Sequence, residues 1–481
     1  MYNTTGSGSD SVKLPNYNDA KKRTKFDYKT ISFEIDSNYL DKFKGKKYFL
    51  KTYGCQMNEH DSENIRALLE SIGFSRVDDY NDADLVLLNT CSIRENAHNK
   101  AFGMLGRFKH IKETTNKDLI VGLCGCMAQE AGVVDEILKD YKFVNFVFGT
   151  HNIHELPEII NKSVSKDEQV IEVYSKEGDL VEDIPVVRDK DYKAYVNIIY
   201  GCDKFCTYCI VPFTRGGQRS RKKEDILKEI DSLVEDGYKE VTLLGQNVNA
   251  YGKDLYDDYT LAELLTDVSK RNIPRIRFMT SHPWDFTDKM IEVIAKNKNI
   301  MPSVHLPVQS GSSRILKLMG RRYTKESYLE LFNKIKNTIP GVSISTDIIV
   351  GFPNEDENDF LETLELAKYC KFDNAFTFIY SPRENTPAAK MKDNVDLKEK
   401  EVRLQRLNEV VNKFFLDNNK KLVDKSVLVL TEGISDKKKI YYGYTETNKL
   451  VNFTGSNINV GDIVEVVIDD AKTWSLDGHA K

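Results

Sequence analysis

Short apolar runs alternate with helix-length segments from Lys46 to about Tyr380, and few architectures accept that order. Lys47–Thr52, Asp84–Asn89, Leu119–Leu123 and Val144–Phe148 read as strands, and Asp61–Ile72 as a helix with apolar residues at Ile65, Leu68, Leu69 and Ile72. A second series follows at Ala194–Ile199, Glu240–Leu244, Arg275–Met279, Ser303–Leu306, Ser343–Val350 and Ala375–Tyr380, separated by helical patterns such as Asp225–Leu233 and Leu261–Val268. Strands joined through helices pair in parallel, because a parallel return needs a long crossover. The first series therefore predicts a doubly wound α/β domain. The second predicts an open (β/α)6 partial barrel, short of the eight units that close a full one. After these, Val427–Leu430, Tyr441–Tyr444 and Val464–Ile468 are short strands punctuated by Gly433, Gly443, Gly455 and Gly461, the pattern of a small all-β barrel.

These readings divide the chain into a flexible, polar arm at 1–45, a first α/β domain at 46–162, an acidic linker at 163–187, the partial barrel at 188–419 and the terminal barrel at 420–481. Val402–Phe415 is a helical hinge into the last of these. Net charge is −5, so any nucleic-acid contact has to come from local patches such as Lys21–Lys25 rather than from the whole surface. No apolar run reaches the roughly 20 residues that span a membrane, and the polar start does not read as a signal peptide. A cytoplasmic protein is expected.

The chemistry is announced by Gly201-Cys202-Asp203-Lys204-Phe205-Cys206-Thr207-Tyr208-Cys209. Its C-x3-C-x2-C spacing puts three thiolates on one loop, enough for three corners of a cubane iron–sulfur cluster, and leaves the fourth iron open. Structural zinc closes four ligands, and no fourth Cys or His follows closely. Eight cysteines in 481 residues do not make a disulfide framework. Three more cysteines, Cys55, Cys91 and Cys126, stand at the ends of the first three strands, where ligands of open α/β sheets gather. They are either buried structural thiols or, as their place beside Gly54 and Gly125 favours, ligands of a second cluster. Cys124 competes with Cys126 for that role and is taken as a core thiol, as is Cys370.

Polar, glycine-bearing turns recur at the strand ends of the second series: Gly245-Gln246-Asn247, Ser281-His282-Pro283, Pro307-Val308-Gln309-Ser310-Gly311 and Thr346-Asp347 through Gly351-Phe352-Pro353. Each alone is an ordinary loop, and His282 alone a capping histidine; together they line the mouth of a ligand-binding barrel. Arg383, after the sixth strand, either reaches an anion or pins its loop. Arg215, Arg219 and Arg221 follow the cysteine loop closely and suit a nucleic-acid backbone, although a solvated surface has the same composition.

The Cys202–Cys209 loop resembles the signature of the radical S-adenosylmethionine (radical SAM) superfamily. That resemblance implies that SAM chelates the open iron and is cleaved to a 5′-deoxyadenosyl radical. It further implies that Tyr208 packs near the adenine and that Gln246 and Asn247, with His282, Gln309 and Asp347, line the SAM site. Tyr53–Asn58, Asn89–Glu95, Gly125–Gln129, Val211–Gly216 and Thr346–Pro353 together resemble the methylthiotransferases, and the terminal barrel is similar to the RNA-binding TRAM domain. The resemblance implies two [4Fe-4S] clusters, on Cys202, Cys206 and Cys209 and on Cys55, Cys91 and Cys126. It implies a tRNA anticodon loop as partner, a flavodoxin-like or ferredoxin-like reductant, and a sulfur source. Ser92–Ala97 is most similar to the branch that adds a methylthio group at C2 of N6-dimethylallyladenosine 37. Branches acting on threonylcarbamoyladenosine or on a ribosomal-protein aspartate remain open, as does an RNA-binding iron–sulfur redox sensor. The terminal barrel is less basic than an RNA clamp, since Lys437–Lys439 is offset by Asp462, Glu465, Asp469 and Asp470; Tyr442 and Phe453 are the expected aromatic contacts.

Overall fold

The structure, a computed structural model, describes residues 3–4, 28–92, 95–166, 168–174, 178–435 and 440–481; for 3–4, 95–97 and 166 only the backbone is described. Lys21–Lys25, Ile93 and Arg94 within Ser92–Ala97, and Lys437–Lys439 lie outside it.

The first domain is a sheet in the order Asn3–Thr4, Val170–Glu172, Phe146–Phe148, Ile120–Gly125, Leu85–Thr90, Lys47–Tyr53, Ser75–Arg76, parallel throughout except at its Asn3–Thr4 edge. The interior strand Leu85–Thr90 is buried along its whole length, as its apolar run Leu85–Leu88 requires when both faces are covered. The helices Gln56–Ser71 and Leu156–Lys166 pack on one face through Ile65, Leu68, Leu69, Ile159 and Ile160. Those at Glu95–Thr114 and Ala131–Asp140 cover the other through Leu105, Phe108, Val134 and Ile137. The sheet is doubly wound, as expected.

Two expected boundaries move. The segment 163–187 is not a free linker: the helix runs to Lys166, and Val170–Glu172 joins the sheet because Val170, Ile171 and Val173 are buried there. Nor is the arm free up to residue 45. Thr30–Ser32 pairs with Leu180–Glu182, Tyr28 donates a hydrogen bond to Asp254 (2.8 Å), and Phe43 stacks on Phe74. Phe33, Ile35 and Tyr39 add apolar area to the same core, which ties the segment down.

The second domain has six parallel strands in two groups. Lys193–Asn197, Glu240–Leu244 and Arg275–Phe278 form one; Ser303–His305, Ser343–Val350 and Asn374–Ile379 form the other. A parallel bridge between Ile276 and Ile300 joins them. Alternate side chains face opposite ways along a strand. Ala194, Val196, Val241, Leu243, Ile276, Ile344 and Ile348 point outward into the helical layer. That leaves Tyr195, Asn197, Thr242, Arg277, His305, Ser345, Asp347, Phe376 and Phe378 on the inner face of an open barrel. The helix Gln56–Ser71 of the first domain lies against Lys193–Asn197, where His60 meets Asn197 (3.0 Å).

The last domain is a closed five-stranded barrel, Ser426–Ser435, Ile440–Thr445, Leu450–Thr454, Leu476–Ala480 and Ile463–Ala471. Phe453 is 1% exposed and belongs to its core, so the expected aromatic contact there is corrected; Tyr442 is partly exposed. The barrel docks at the strand-start end of the second domain. Arg275 donates to the carbonyls of Tyr444 and Leu428 (both 2.9 Å), Arg277 to those of Thr445 (2.7 Å) and Glu446 (3.0 Å), and Lys193 pairs with Glu432 (2.9 Å). The hinge helix extends over Leu397–Lys420.

Candidate active site

Two cysteine sites lie on facing edges of the first two domains. In the first domain each thiol follows a strand end, and a buried amide network holds the three turns together. Asn58 Nδ2 donates to Asn89 Oδ1 (3.0 Å) and to the Thr90 carbonyl (3.3 Å). Asn89 Nδ2 returns bonds to the Asn58 carbonyl and Ser62 Oγ (both 2.9 Å), and Thr90 Oγ1 donates to the Cys124 carbonyl (2.8 Å). Gly125, at φ +95°, turns the chain into Cys126, and a Cβ there would run into Asn89 Oδ1 and the Thr90 carbonyl. Only glycine fits so close an approach at that φ. Cys124 points into the apolar core on the other side of its strand, in keeping with a core thiol.

The thiols of this site feel one another. A hydrogen bond with Cys91 is the largest influence on Cys55; with help from Arg215 and against its own burial, it holds Cys55 below the usual thiol range, near 6. Burial pushes Cys126 up, and Arg215 partly reverses that. Arg215 Nε donates to Cys126 Sγ (3.1 Å), while its Nη2 pairs with Asp61 (2.7 Å).

In the second domain the loop Cys202–Cys209 leaves the first barrel strand and is pinned on several sides. Gly201, at φ +69°, lies against the Gly216 and Gly217 carbonyls with no room for a Cβ. Cys202 N donates to the Gly216 carbonyl (3.2 Å), Thr207 N to Met319 O (2.9 Å), Thr207 Oγ1 to Leu318 O (2.8 Å), and Ala388 N to Thr207 O (2.9 Å). Burial first, and then the neighbouring thiols, raise Cys202 and push Cys209 up to about 12. Tyr208 packs edge-on against Phe352 (6.5 Å between centroids), which in turn meets Tyr380. Arg321 Nη1 donates to Cys206 Sγ (3.3 Å).

Adjacent strand-end turns are tied together, as where Val248 N donates to the Thr280 carbonyl (3.2 Å) and His282 N to Asn249 Oδ1 (3.1 Å). Gln246 Oε1, Asn247 Oδ1, Ser281 Oγ and Tyr380 OH are buried without a hydrogen-bond partner in the protein. Buried polar atoms are ordinarily satisfied, so this set fits a polar ligand such as SAM. Asn247 Nδ2 is fixed by Asp285 (2.6 Å), which also pairs with Lys204 (2.6 Å) and Lys253 (2.7 Å). Gln309 takes a left-handed φ of +71° and yet bonds the fifth strand on both sides, through Asp347 O (2.8 Å) and Ile349 N (2.9 Å). Asp347 faces the lumen 3.4 Å from His305 Nε2. His282 caps a short turn, its Nδ1 accepting from Trp284 N (3.2 Å); burial, then Arg321 and Lys204, hold the ring neutral with a pKa of about 2.

Arg215, Arg219 and Arg221 are not an RNA-facing patch. All three are buried: Arg219 donates to the Gly178 carbonyl (2.8 Å), and Arg221 is held by Glu182 (2.6 Å) and Glu229 (2.8 Å). A guanidinium taken out of water needs such partners to offset its desolvation, and buried among them these three present no free face to a phosphate. Asp61 and Arg321 are site residues outside every motif read from the sequence, and Asn58 and Asn89 stand inside two of those motifs without a role having been read for them. Each contact joins segments remote in sequence, and none has a spacing signature. Arg383 lies beside Glu130 of the first domain rather than on a free loop.

Among the described residues, no three His, Cys, Asp or Glu side chains close around a single metal ion. A cubane asks for something else, thiolates spread over separate irons. Two sets of three free, mutually coupled thiols with buried guanidinium donors suit that donor chemistry.

The Radical SAM superfamily matches residues 196–367, the Uncharacterized protein family UPF0004 matches 47–149, and the TRAM domain matches 420–481. A tRNA-2-methylthio-N(6)-dimethylallyladenosine synthase of Staphylococcus epidermidis is 55% identical over 467 residues, covering 96% of this chain and 91% of the relative. One of Bacillus subtilis is 54% identical, covering 97% and 92%. Among solved structures, the radical S-adenosylmethionine methyltransferase TsrM of Kitasatospora setae shares the fold, with a TM-score of 0.53 at 13% identity over 72% of this chain and 77% of that one.

Proposed function

The chain belongs to the tRNA-2-methylthio-N(6)-dimethylallyladenosine synthases, and on that premise we propose that its two cysteine sites each hold a [4Fe-4S] cluster around one shared substrate cavity. It is a radical SAM enzyme that uses iron–sulfur chemistry and SAM to add a methylthio group at C2 of N6-dimethylallyladenosine 37 in tRNA, next to the anticodon. When bound, the clusters and SAM supply the substrate radical, the sulfur and the methyl group.

The observation that carries the two-cluster reading is Arg215. It leaves the loop just after Cys209 and ends on Cys126, so the two cysteine sites share one buried link. Cys202, Cys206 and Cys209 hold the SAM-side cluster. Gln246 and Asn247 offer acceptors to the SAM ammonium, Tyr208 packs by the adenine, and Gln309 and Asp347 line the lumen. His282, held neutral, keeps the third strand-end turn in place. Cys55, Cys91 and Cys126 hold the auxiliary cluster. By excluding water the cavity protects the radical, and an anticodon-loop base can be splayed into it. A flavodoxin-like or ferredoxin-like protein supplies electrons, a separate donor supplies sulfur, and the enzyme works in the cytoplasm. No helix among the described residues is long and apolar enough to cross a membrane.

Two half-exposed phenylalanines suit the prenyl group. Phe376 (46% exposed) and Phe378 (43%) stand on the lumenal face of the last strand, opposite Asp347 and Ile349. A threonylcarbamoyl group would bring a carboxylate to this apolar surface; a dimethylallyl group brings methyls. Phe378→Asp is expected to lower kcat/KM on prenylated tRNA about tenfold or more, with SAM-side iron retained; unchanged kinetics would remove the pair from recognition.

Nucleoside analysis of tRNA from cells lacking the protein tests the nucleoside. N6-dimethylallyladenosine should accumulate in place of its 2-methylthio form. Loss of a methylthiolated threonylcarbamoyladenosine instead, with the prenylated nucleoside unaffected, would sink the assignment.

A further inference from the structure

Each cysteine site carries a buried arginine that donates to one sulfur, but the two arginines are not equivalent. Arg215, on Cys126, is neutralised by Asp61 at 2.7 Å, so the pair brings almost no net charge to its site. Arg321, on Cys206, spends its other donors on neutral oxygens, Tyr323 OH (2.9 Å) and the Pro307 carbonyl (3.1 Å). Among the described residues it pairs with no carboxylate. The same side gains a further cation, because Lys204 and Lys253 share the single carboxylate of Asp285. His282 beside them is neutral; Asp203 does put a carboxylate next to Cys202, but it is solvent-exposed, so water screens it far more than the buried Arg321. A cluster's reduction potential rises with nearby positive charge and with hydrogen bonds to its sulfurs. Burial leaves that charge poorly screened.

We propose that the protein tells its two clusters apart by this charge: Arg321 draws the incoming electron to the cluster of Cys202, Cys206 and Cys209, while Asp61 cancels the same pull by Arg215 at the auxiliary site. The step is one electron from the reductant to a [4Fe-4S]2+ core, giving the 1+ core and the donor oxidised by one; no bond forms or breaks. Placing the electron where SAM binds avoids spending it on the sulfur-carrying site. The proposal rests on the two-cluster reading above.

The test separates the clusters before measuring them. Arg321→Gln and Arg321→Lys are made in a Cys55→Ala/Cys91→Ala/Cys126→Ala background, and Asp61→Asn in a Cys202→Ala/Cys206→Ala/Cys209→Ala background. Iron content and dithionite titration followed by electron paramagnetic resonance are read without SAM. Arg321→Gln should lower the ratio of reduced to oxidised cluster at fixed potential about tenfold, a shift of about 59 mV to more negative values for one electron. Arg321→Lys should keep most of the parent value, because the charge remains. Asp61→Asn, which unmasks Arg215, should move the auxiliary midpoint to more positive values. Intact iron with unmoved midpoints overturns the proposal, as does a lysine variant that falls as far as the glutamine one. Should either parent background hold no iron, the two-cluster reading itself fails, and the proposal with it.

Discussion

Replacing Cys202, Cys206 and Cys209 by alanine is expected to abolish SAM cleavage and methylthiolation while leaving half of the iron. Anaerobically reconstituted wild type should hold about eight irons and the variant about four, as two four-iron clusters become one. The complementary variant, Cys55→Ala/Cys91→Ala/Cys126→Ala, should also keep about four irons and still release 5′-deoxyadenosine from SAM, but transfer no methylthio group. The structure makes the two losses separable. Each set of thiols is built by its own domain: the auxiliary set by the Asn58–Asn89 network and Gly125, the other by the turn at Gly201 and the Met319–Thr207 bond. Iron and acid-labile sulfide analysis decides it. Four irons in wild type and none in the first variant would leave Cys55, Cys91 and Cys126 as structural thiols.

Arg277→Ala is expected to loosen the terminal barrel at a cost of about 3–5 kcal/mol, the range for breaking a buried ion pair by removing one partner. Arg277 pairs with Glu240 at 2.8 Å, and both are buried; without it Glu240 is left with Lys193, at 3.8 Å, and the more distant field of Arg275. The Thr445 and Glu446 carbonyls lose their donor as well. Thermal unfolding should begin earlier, proteolysis should release residues from about 420 onward, and tRNA binding should weaken. SAM cleavage should survive, because the cluster loop lies at the opposite end of the barrel. The double variant Arg277→Met/Glu240→Leu should recover most of the stability, since no unpaired charge is then buried. An unchanged melting curve for Arg277→Ala would show that the domain is held by its other contacts.

Much of this architecture is legible in the chain itself. The period-2 and apolar-run patterns place the strands they identify to within a residue or two, because a strand covered by helices on both faces is largely apolar, as Leu85–Leu88 is. The Cys202–Cys209 loop is legible for a different reason: it must bring three thiolates together locally, so its spacing is written in nearby residues, whereas Cys55, Cys91 and Cys126 are marked only by their places at three strand ends. The acidic stretch at 163–187 misleads because charge reports exposure of side chains, not freedom of backbone; Val170–Glu172 still completes a sheet edge. The arm misleads in the same way, since four apolar residues, Phe33, Ile35, Tyr39 and Phe43, suffice to anchor it.

The arginines show where such reading stops. Arg215, Arg219 and Arg221 have the composition of a phosphate-binding loop, and only tertiary structure reveals that Asp61, Gly178, Glu182 and Glu229 already hold them. Phe453 likewise looks available to RNA until the closed barrel buries it. The sequence by itself determined the domain order, most of the strand pattern and the Cys202–Cys209 loop of a radical SAM enzyme, because these depend on local periodicity and spacing. Tertiary structure alone decided which charges are compensated. The bond from Arg321 to Cys206 spans 115 positions and that from Arg215 to Cys126 spans 89, and whether a buried charge has a partner is a property of space, with no trace in the order of residues.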